Sequence, residues 1–154
     1  MARTEHFYFA SHAPGRQIHG VRWLPEGQPR AVLQITHGMV EYIERYQDFA
    51  QWLNERGFLV TGHDHLGHGN SIRTKADYGY FADEDANGTV LADVHRLTQL
   101  TKESYPGCPI SFWAIVWVPS TLVSTSASMG RSWMEPSSWA PVVSPECWSG
   151  RVNS

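Results

Sequence analysis

AVLQITHG, residues 31–38, is a nearly unbroken apolar run that stops at a His-Gly pair. Ala31, Val32, Leu33 and Ile35 leave no polar face, so the run reads as a strand covered on both sides, as central strands of parallel sheets are. Beyond it, Tyr46, Phe49, Ala50 and Leu53 recur at helical spacing, and Gly57 stands where a helix C-cap is wanted. FLVTGHD, residues 58–64, is a second buried strand, and HLGHGNS, residues 65–71, is a Gly-rich turn. Upstream, EHFYFAS and IHGVRWL alternate apolar and polar residues around Gly15, which predicts an opening hairpin. Downstream, an irregular stretch over 72–88 leads to an amphipathic helix marked by Val90, Leu91, Val94, Leu97 and Leu100. YPG, residues 105–107, ends that helix, and PISFWAIVWV, residues 109–118, is the next strand. An antiparallel start followed by strand–helix–strand alternation predicts an α/β sheet with parallel central strands and flanking helices.

The 154 residues suffice for one domain, and a formal charge of −3 without a Lys/Arg cluster gives no reason to expect nucleic acid. MARTEHFYFASHAPG lacks a basic segment leading into an apolar core, so no secretory signal is expected and the location reads as cytoplasmic. The longest apolar run, 110–118, is interrupted by Ser111 and too short to span a bilayer. Cys108 and Cys147 make no disulfide framework and are expected as free thiols. Composition breaks at Ile110. Trp113, Trp117, Trp133, Trp139 and Trp148 lie beyond it, while every His lies at or before His95. The only charged side chains past the break are Arg131, Glu135, Glu146 and Arg151. That segment is too Trp-rich for a linker and too short for an independent domain.

In a parallel sheet, ligands meet the carboxyl ends of the strands. Two such ends carry a family resemblance. His37-Gly38-Met39-Val40-Glu41-Tyr42, with Arg45-Tyr46 after it, resembles the H-G-x-x-E-[HY]-x-x-R-Y stretch of monoacylglycerol lipases and lysophospholipases. These belong to the α/β-hydrolase superfamily and overlap the serine aminopeptidase-like group. Asp64, Gly67, Gly69 and Ser71 match that family's second signature, D-x-x-G-x-G-x-S, and YPGCPI resembles the lead into its nucleophile strand. The resemblance covers about residues 15 to 110. It implies the N-terminal part of an α/β-hydrolase sheet, with the main-chain N–H of Met39 serving the oxyanion hole. A Gly after the strand would let the backbone turn sharply and aim that N–H.

His63, His65 and His68 bracket Asp64, a grouping that could ligate zinc, but the order is no standard zinc-hydrolase spacing. No metal or other cofactor is expected. Asp64 reads as holding the turn by accepting backbone N–H bonds, with the three histidines as turn or surface residues. Tyr78, Tyr80 and Phe81 read as a loop packing its own aromatics rather than as a substrate mouth.

The family places G-x-S-x-G directly after YPxxP and a short strand. Here the chain has F-W-A-I-V-W-V-P instead. Suppose each original codon is the last base of one present codon plus the first two of the next. Phe112-Trp113 then forces Leu, Trp113-Ala114 forces Gly, and Trp117-Val118 forces Gly. The intervening pairs permit His, Ser and Met. The shifted text reads Leu-Gly-[His]-[Ser]-[Met]-Gly, a nucleophile elbow in the family's position. Trp133-Met134-Glu135 likewise forces Asp-Gly, and the shifted codons to Ala140 permit apolar residues before a forced Gly. TGG arises wherever a codon ending in TG precedes one beginning with G, which explains the Trp excess.

The expected organisation is therefore the N-terminal part of an α/β-hydrolase domain over 1–110 and an out-of-frame, irregular or disordered tail over 111–154. Acyl transfer on this fold needs Ser, then Asp or Glu, then His in chain order. No His follows His95, and Ser128 in SASMG, the one local mimic of the elbow, lacks the first Gly. The resemblance implies a parent ester hydrolase acting on monoacylglycerol or lysophospholipid, with this chain inactive as written. The alternative is a non-catalytic binding or interaction protein with a genuine Trp-rich tail.

Overall fold

The computed structural model describes residues 3–82 and 84–114. The expected tail from Ile115 onward, Ser128 and Cys147 among it, lies outside the described residues. The opening hairpin is β1 (Arg3–Ala10) and β2 (Gln17–Leu24), paired antiparallel in the register Phe7↔Gly20 and Tyr8↔His19. Next come β3 (Ala31–Thr36), a 3-10 turn (Ile43–Tyr46), α1 (Gln47–Asn54) and β4 (Phe58–His63). Two short 3-10 turns, Gly69–Ser71 and Lys75–Asp77, lead to α2 (Ala86–Ser104), and β5 (Ile110–Ala114) follows. The sheet order is β1-β2-β4-β3-β5, with β2 antiparallel to β4 and β3 parallel to both β4 and β5. The antiparallel start and parallel centre are as the sequence predicts.

β3 and β4 are covered on both faces, and their alternation sorts the core. Ile35 and Val60 join Val21, Trp23, Ile43 and Ala50 on the α1 side. Val32, Leu59 and Ile110 form a cluster of their own. Phe9, Ile18, Leu66 and Leu97 make a further cluster, to which α2 contributes Leu97. Gln34, polar in the middle of β3, is fully buried and spans to α2: its Nε2 donates to Val94 O at 3.0 Å, and Thr98 Oγ1 donates to its Oε1 at 3.1 Å. A buried amide is tolerated where both ends are satisfied.

α2 starts earlier than its apolar periodicity suggests. Asp85 caps it, accepting from the Gly88 N–H at 3.0 Å, so the first helical turn takes up the last residues of the expected irregular stretch. Among the described residues no helix is long and apolar enough to cross a membrane. Cys108 Sγ lies 3.5 Å from Pro29 O. β5 pairs with β3 from Val32↔Ile110 to Thr36↔Ala114, so the strand crosses the expected boundary at residue 110. Past that boundary β5 is the end strand of the described sheet, and Phe112 is 52% exposed and Trp113 42%.

Candidate functional site

The carboxyl ends of β3 and β4 lie side by side, with Thr36 opposite His63, so the two loops that follow meet. His37 is buried at the junction. Its Nδ1–H donates to Gly38 O at 2.7 Å, and its Nε2 accepts the His65 N–H at 3.0 Å. In return, His65 Nε2–H donates to His37 O at 3.1 Å. His68 Nε2 contacts Met39 O, and its Nδ1 contacts Leu66 O at 2.9 Å. The Gly38 N–H points to Glu41 Oε2 at 3.4 Å, and that same oxygen accepts the Tyr46 hydroxyl. Arg45 Nη1 stands 3.7 Å from Glu41 Oε1. The spacing of the His-Gly stretch is thus one network.

Its effect is to fix three successive peptide planes. The His37–Gly38 peptide is held by His65 at its carbonyl and Glu41 at its N–H. The Gly38–Met39 peptide is held by His37, and the Met39–Val40 peptide by His68. In a trans peptide the carbonyl and the N–H point opposite ways. Anchoring Gly38 O on the His37 ring therefore turns the Met39 N–H to the other side. A fixed main-chain donor is what stabilisation of a developing oxyanion requires. Gly38 itself is not among the glycines with positive φ. The turn rests on hydrogen bonds rather than on glycine's conformational freedom.

Asp64 ties the second loop. Its Oδ1 accepts the Ile43 N–H at 2.7 Å, and its Oδ2 accepts the Asn70 N–H at 2.9 Å and faces His19 Nδ1 at 2.8 Å. Burial alone would raise the carboxyl's pKa. The bonds from His19, Ile43 and Asn70 outweigh it, and the net shift is downward. Ser71 closes the turn: its Oγ donates to Asp64 O at 2.7 Å and accepts the His19 N–H at 2.9 Å. The two signature glycines make room. Gly69, at φ +45°, faces the carboxylate so closely that a Cβ would lie 2.3 Å from Asp64 Cγ; Gly67, at φ +72°, would set one 2.3 Å from Tyr80 O. Left-handed strain and overlap add, so Gly69→Ala is expected to destabilise by on the order of 3 kcal/mol, read as a fall in the thermal midpoint.

Of the three histidines, expected as turn or surface residues, His63 ends β4 and His65 and His68 lie in the turn after it; all three are buried rather than at the surface. The reason is the cover above them. Phe81 packs its ring 5.0 Å from His68 and 6.4 Å from His65. Tyr80 lies under the Arg16 guanidinium, while Tyr78 is exposed. Glu41 is held below the ordinary carboxylate range by the Tyr46 hydroxyl, and burial together with Glu41 pushes Tyr46 up to about 12. Among the described residues no group of three or more His, Cys, Asp or Glu is placed to hold a metal ion.

His63 has no hydrogen-bond partner at either ring nitrogen among the described residues, and burial pushes its pKa down to about 3. Burial likewise holds His37 and His65 below the usual imidazole value. Between pH 6.5 and 3 the unfolded chain binds the His63 proton and the folded one does not. Stability is therefore full above pH 6.5 and falls as the solution is acidified. His63 alone is expected to remove about 2 kcal/mol between pH 6.5 and pH 5. Because the ring makes no hydrogen bond, His63→Leu should flatten that part of the pH dependence in urea unfolding; an unchanged slope would show that His63 does not carry it.

The family described as serine aminopeptidase S33 matches residues 27–115. A monoglyceride lipase of Rattus norvegicus is 40% identical over 101 residues, 64% of this chain and 30% of that protein. A monoglyceride lipase homolog of Monkeypox virus is 35% identical over 88 residues, 57% of this chain and 30% of that protein. The solved structure of a thermostable carboxyl esterase from Bacillus coagulans aligns with a TM-score of 0.66 at 29% identity, covering 73% of this chain and 36% of that one. The chain spans 30% of the length of these two curated relatives.

Proposed function

Since the chain belongs to the serine aminopeptidase S33 family of α/β-hydrolases, we propose that it is the N-terminal part of a serine ester hydrolase, separated from its nucleophile by a shift of reading frame and inactive as written. One observation carries this. The oxyanion loop after β3 is fixed at three consecutive peptides, yet β5, beside it, runs into A-I-V-W-V-P where the attacking Ser should be. In this reading Met39 supplies an oxyanion N–H. His37, Gly38 and Glu41 position it, while Asp64, Gly67, Gly69 and Ser71 build the loop that supports it. The monoglyceride lipases among the relatives point to a monoacylglycerol or a similar lipid ester as the parent substrate.

The non-catalytic binding protein is a second reading, favoured by one feature: β5 pairs four residues past Ile110, as a genuine strand would. A fluorophosphonate probe and limited proteolysis separate the possibilities. The proposed chain is unlabelled and loses its segment after Ala114 to protease. Labelling of the purified chain overturns the proposal, and a protected segment supports the binding protein.

A further inference from the structure

His6 and His19 lie outside the segment matched by the family and take no part in the oxyanion loop. They are diagonal neighbours across the β1–β2 pair, since His6 stands opposite Val21 and Tyr8 opposite His19. Their nearest nitrogens, His6 Nδ1 and His19 Nε2, are 3.0 Å apart. His19 is buried, at 2% exposure. Its other nitrogen, Nδ1, faces Asp64 Oδ2 at 2.8 Å, and a carboxylate only accepts, so Nδ1 carries the hydrogen. The Nε2 lone pair is then aimed at His6. Behind His6 stands Glu44, on the 3-10 turn before α1, its Oε1 3.9 Å from Nε2, within ion-pair reach but beyond a direct hydrogen bond. Each ring thus has a carboxylate on its far side and presents its remaining nitrogen to the other ring.

Across 3.0 Å the His19 Nε2 lone pair meets either the hydrogen of the His6 Nδ1–H tautomer or, with His6 in the other tautomer, a metal ion between the two nitrogens. A carboxylate on the far N–H is the usual second support of a metal-bound histidine, fixing both tautomer and ring orientation. Imidazole pairs suit zinc, copper and nickel. With Zn–N bonds of 2.0–2.1 Å, two nitrogens on a tetrahedral ion stand about 3.3 Å apart, close to the separation found. The His6 side chain is 47% exposed and free to open by the difference, and water can fill the remaining positions.

We propose that His6 and His19 form a two-histidine site for a divalent transition-metal ion of the zinc and copper class. It clasps β1 to β2, with Asp64 and Glu44 as outer supports. The ion would join the hairpin, through Asp64, to the turn that carries Gly69 and Ser71.

The test is titration of the full chain with zinc chloride and, separately, copper chloride, followed by calorimetry and by the imidazole nitrogen signals. One ion per chain is expected, with His6 and His19 signals moving together. His6→Gln, at an exposed position, should weaken binding at least tenfold with an unchanged circular-dichroism spectrum. Glu44→Gln should weaken it about tenfold, the lower end for loss of an outer support. His95→Gln, on α2, should leave it unchanged. Equal affinity in His6→Gln overturns the site, as does a pair whose signals respond to pH but to neither metal at millimolar concentration.

Discussion

Expression of the gene in the frame one base upstream from codon 111 is expected to yield an active ester hydrolase, and expression of the present chain none. The expected contrast is about a millionfold in turnover, the scale seen when a serine protease loses its nucleophile. The physical ground is division of labour on this fold. The loop proposed for the oxyanion would polarise a carbonyl, but no bond breaks until a hydroxyl attacks it. In the proposed reading this chain supplies the polarising half, since the Gly38–Met39 peptide is anchored by His37, and the flanking peptides by His65, Glu41 and His68. The attacking half belongs on the turn directly after β5, where the sequence is A-I-V-W-V-P. Hydrolysis of short acyl esters and of monoacylglycerol measures both forms. Turnover by the present chain contradicts the proposed inactivity; a folded but inert restored form contradicts the assignment to ester hydrolysis.

Asp64→Ala is expected to destabilise the described segment strongly. The carboxylate is 1% exposed and accepts from two main-chain N–H groups and His19. Removing it leaves three buried donors without an acceptor, at about 1–3 kcal/mol each, so a loss of about 3–5 kcal/mol is expected. A domain holds only about 5–15 kcal/mol in all, so much of the protein would unfold at room temperature. Asp64→Asn should fall between, because its amide oxygen can serve Ile43 while its NH2 confronts the remaining donors. Urea unfolding of the three forms gives the comparison, and a loss under about 1 kcal/mol for Asp64→Ala would falsify the role given to Asp64.

Much of this was legible in the sequence because it is local. The buried strands announce themselves by apolar runs, α1 and α2 by helical spacing, and the turn after β4 by its glycines. The bonding of Asp64 to backbone N–H groups is the ordinary habit of a short acidic residue in a turn. What escaped notice depends on chain segments far apart. His19 meets Asp64 from 45 residues away, and no pattern near either one signals it. The burial of His65 and His68 comes from Phe81 and from the neighbouring β3 loop, so composition alone suggested a polar surface turn. His63 looks like its neighbours in sequence, yet its ring, unlike those of His65 and His68, makes no hydrogen bond among the described residues. It is the last residue of β4 and buried, while His65 after it bonds to the loop that follows β3. β5 shows the reverse case: an apolar pattern sufficed to pair Ser111–Ala114 with β3, although Phe112 and Trp113 remain exposed there.

The nucleotide sequence of codons 112 to 118 tests the frame shift most directly. The glycines at either end are forced by the amino acids already present, so the test lies in the three codons between them. Ala114 is expected as GCC, Ile115 as ATA and Val116 as GTA, which one base upstream spell His, Ser and Met. ATT or ATC at Ile115 would place Cys or Arg where the nucleophile belongs, and a lost serine could not then be the explanation for this ending.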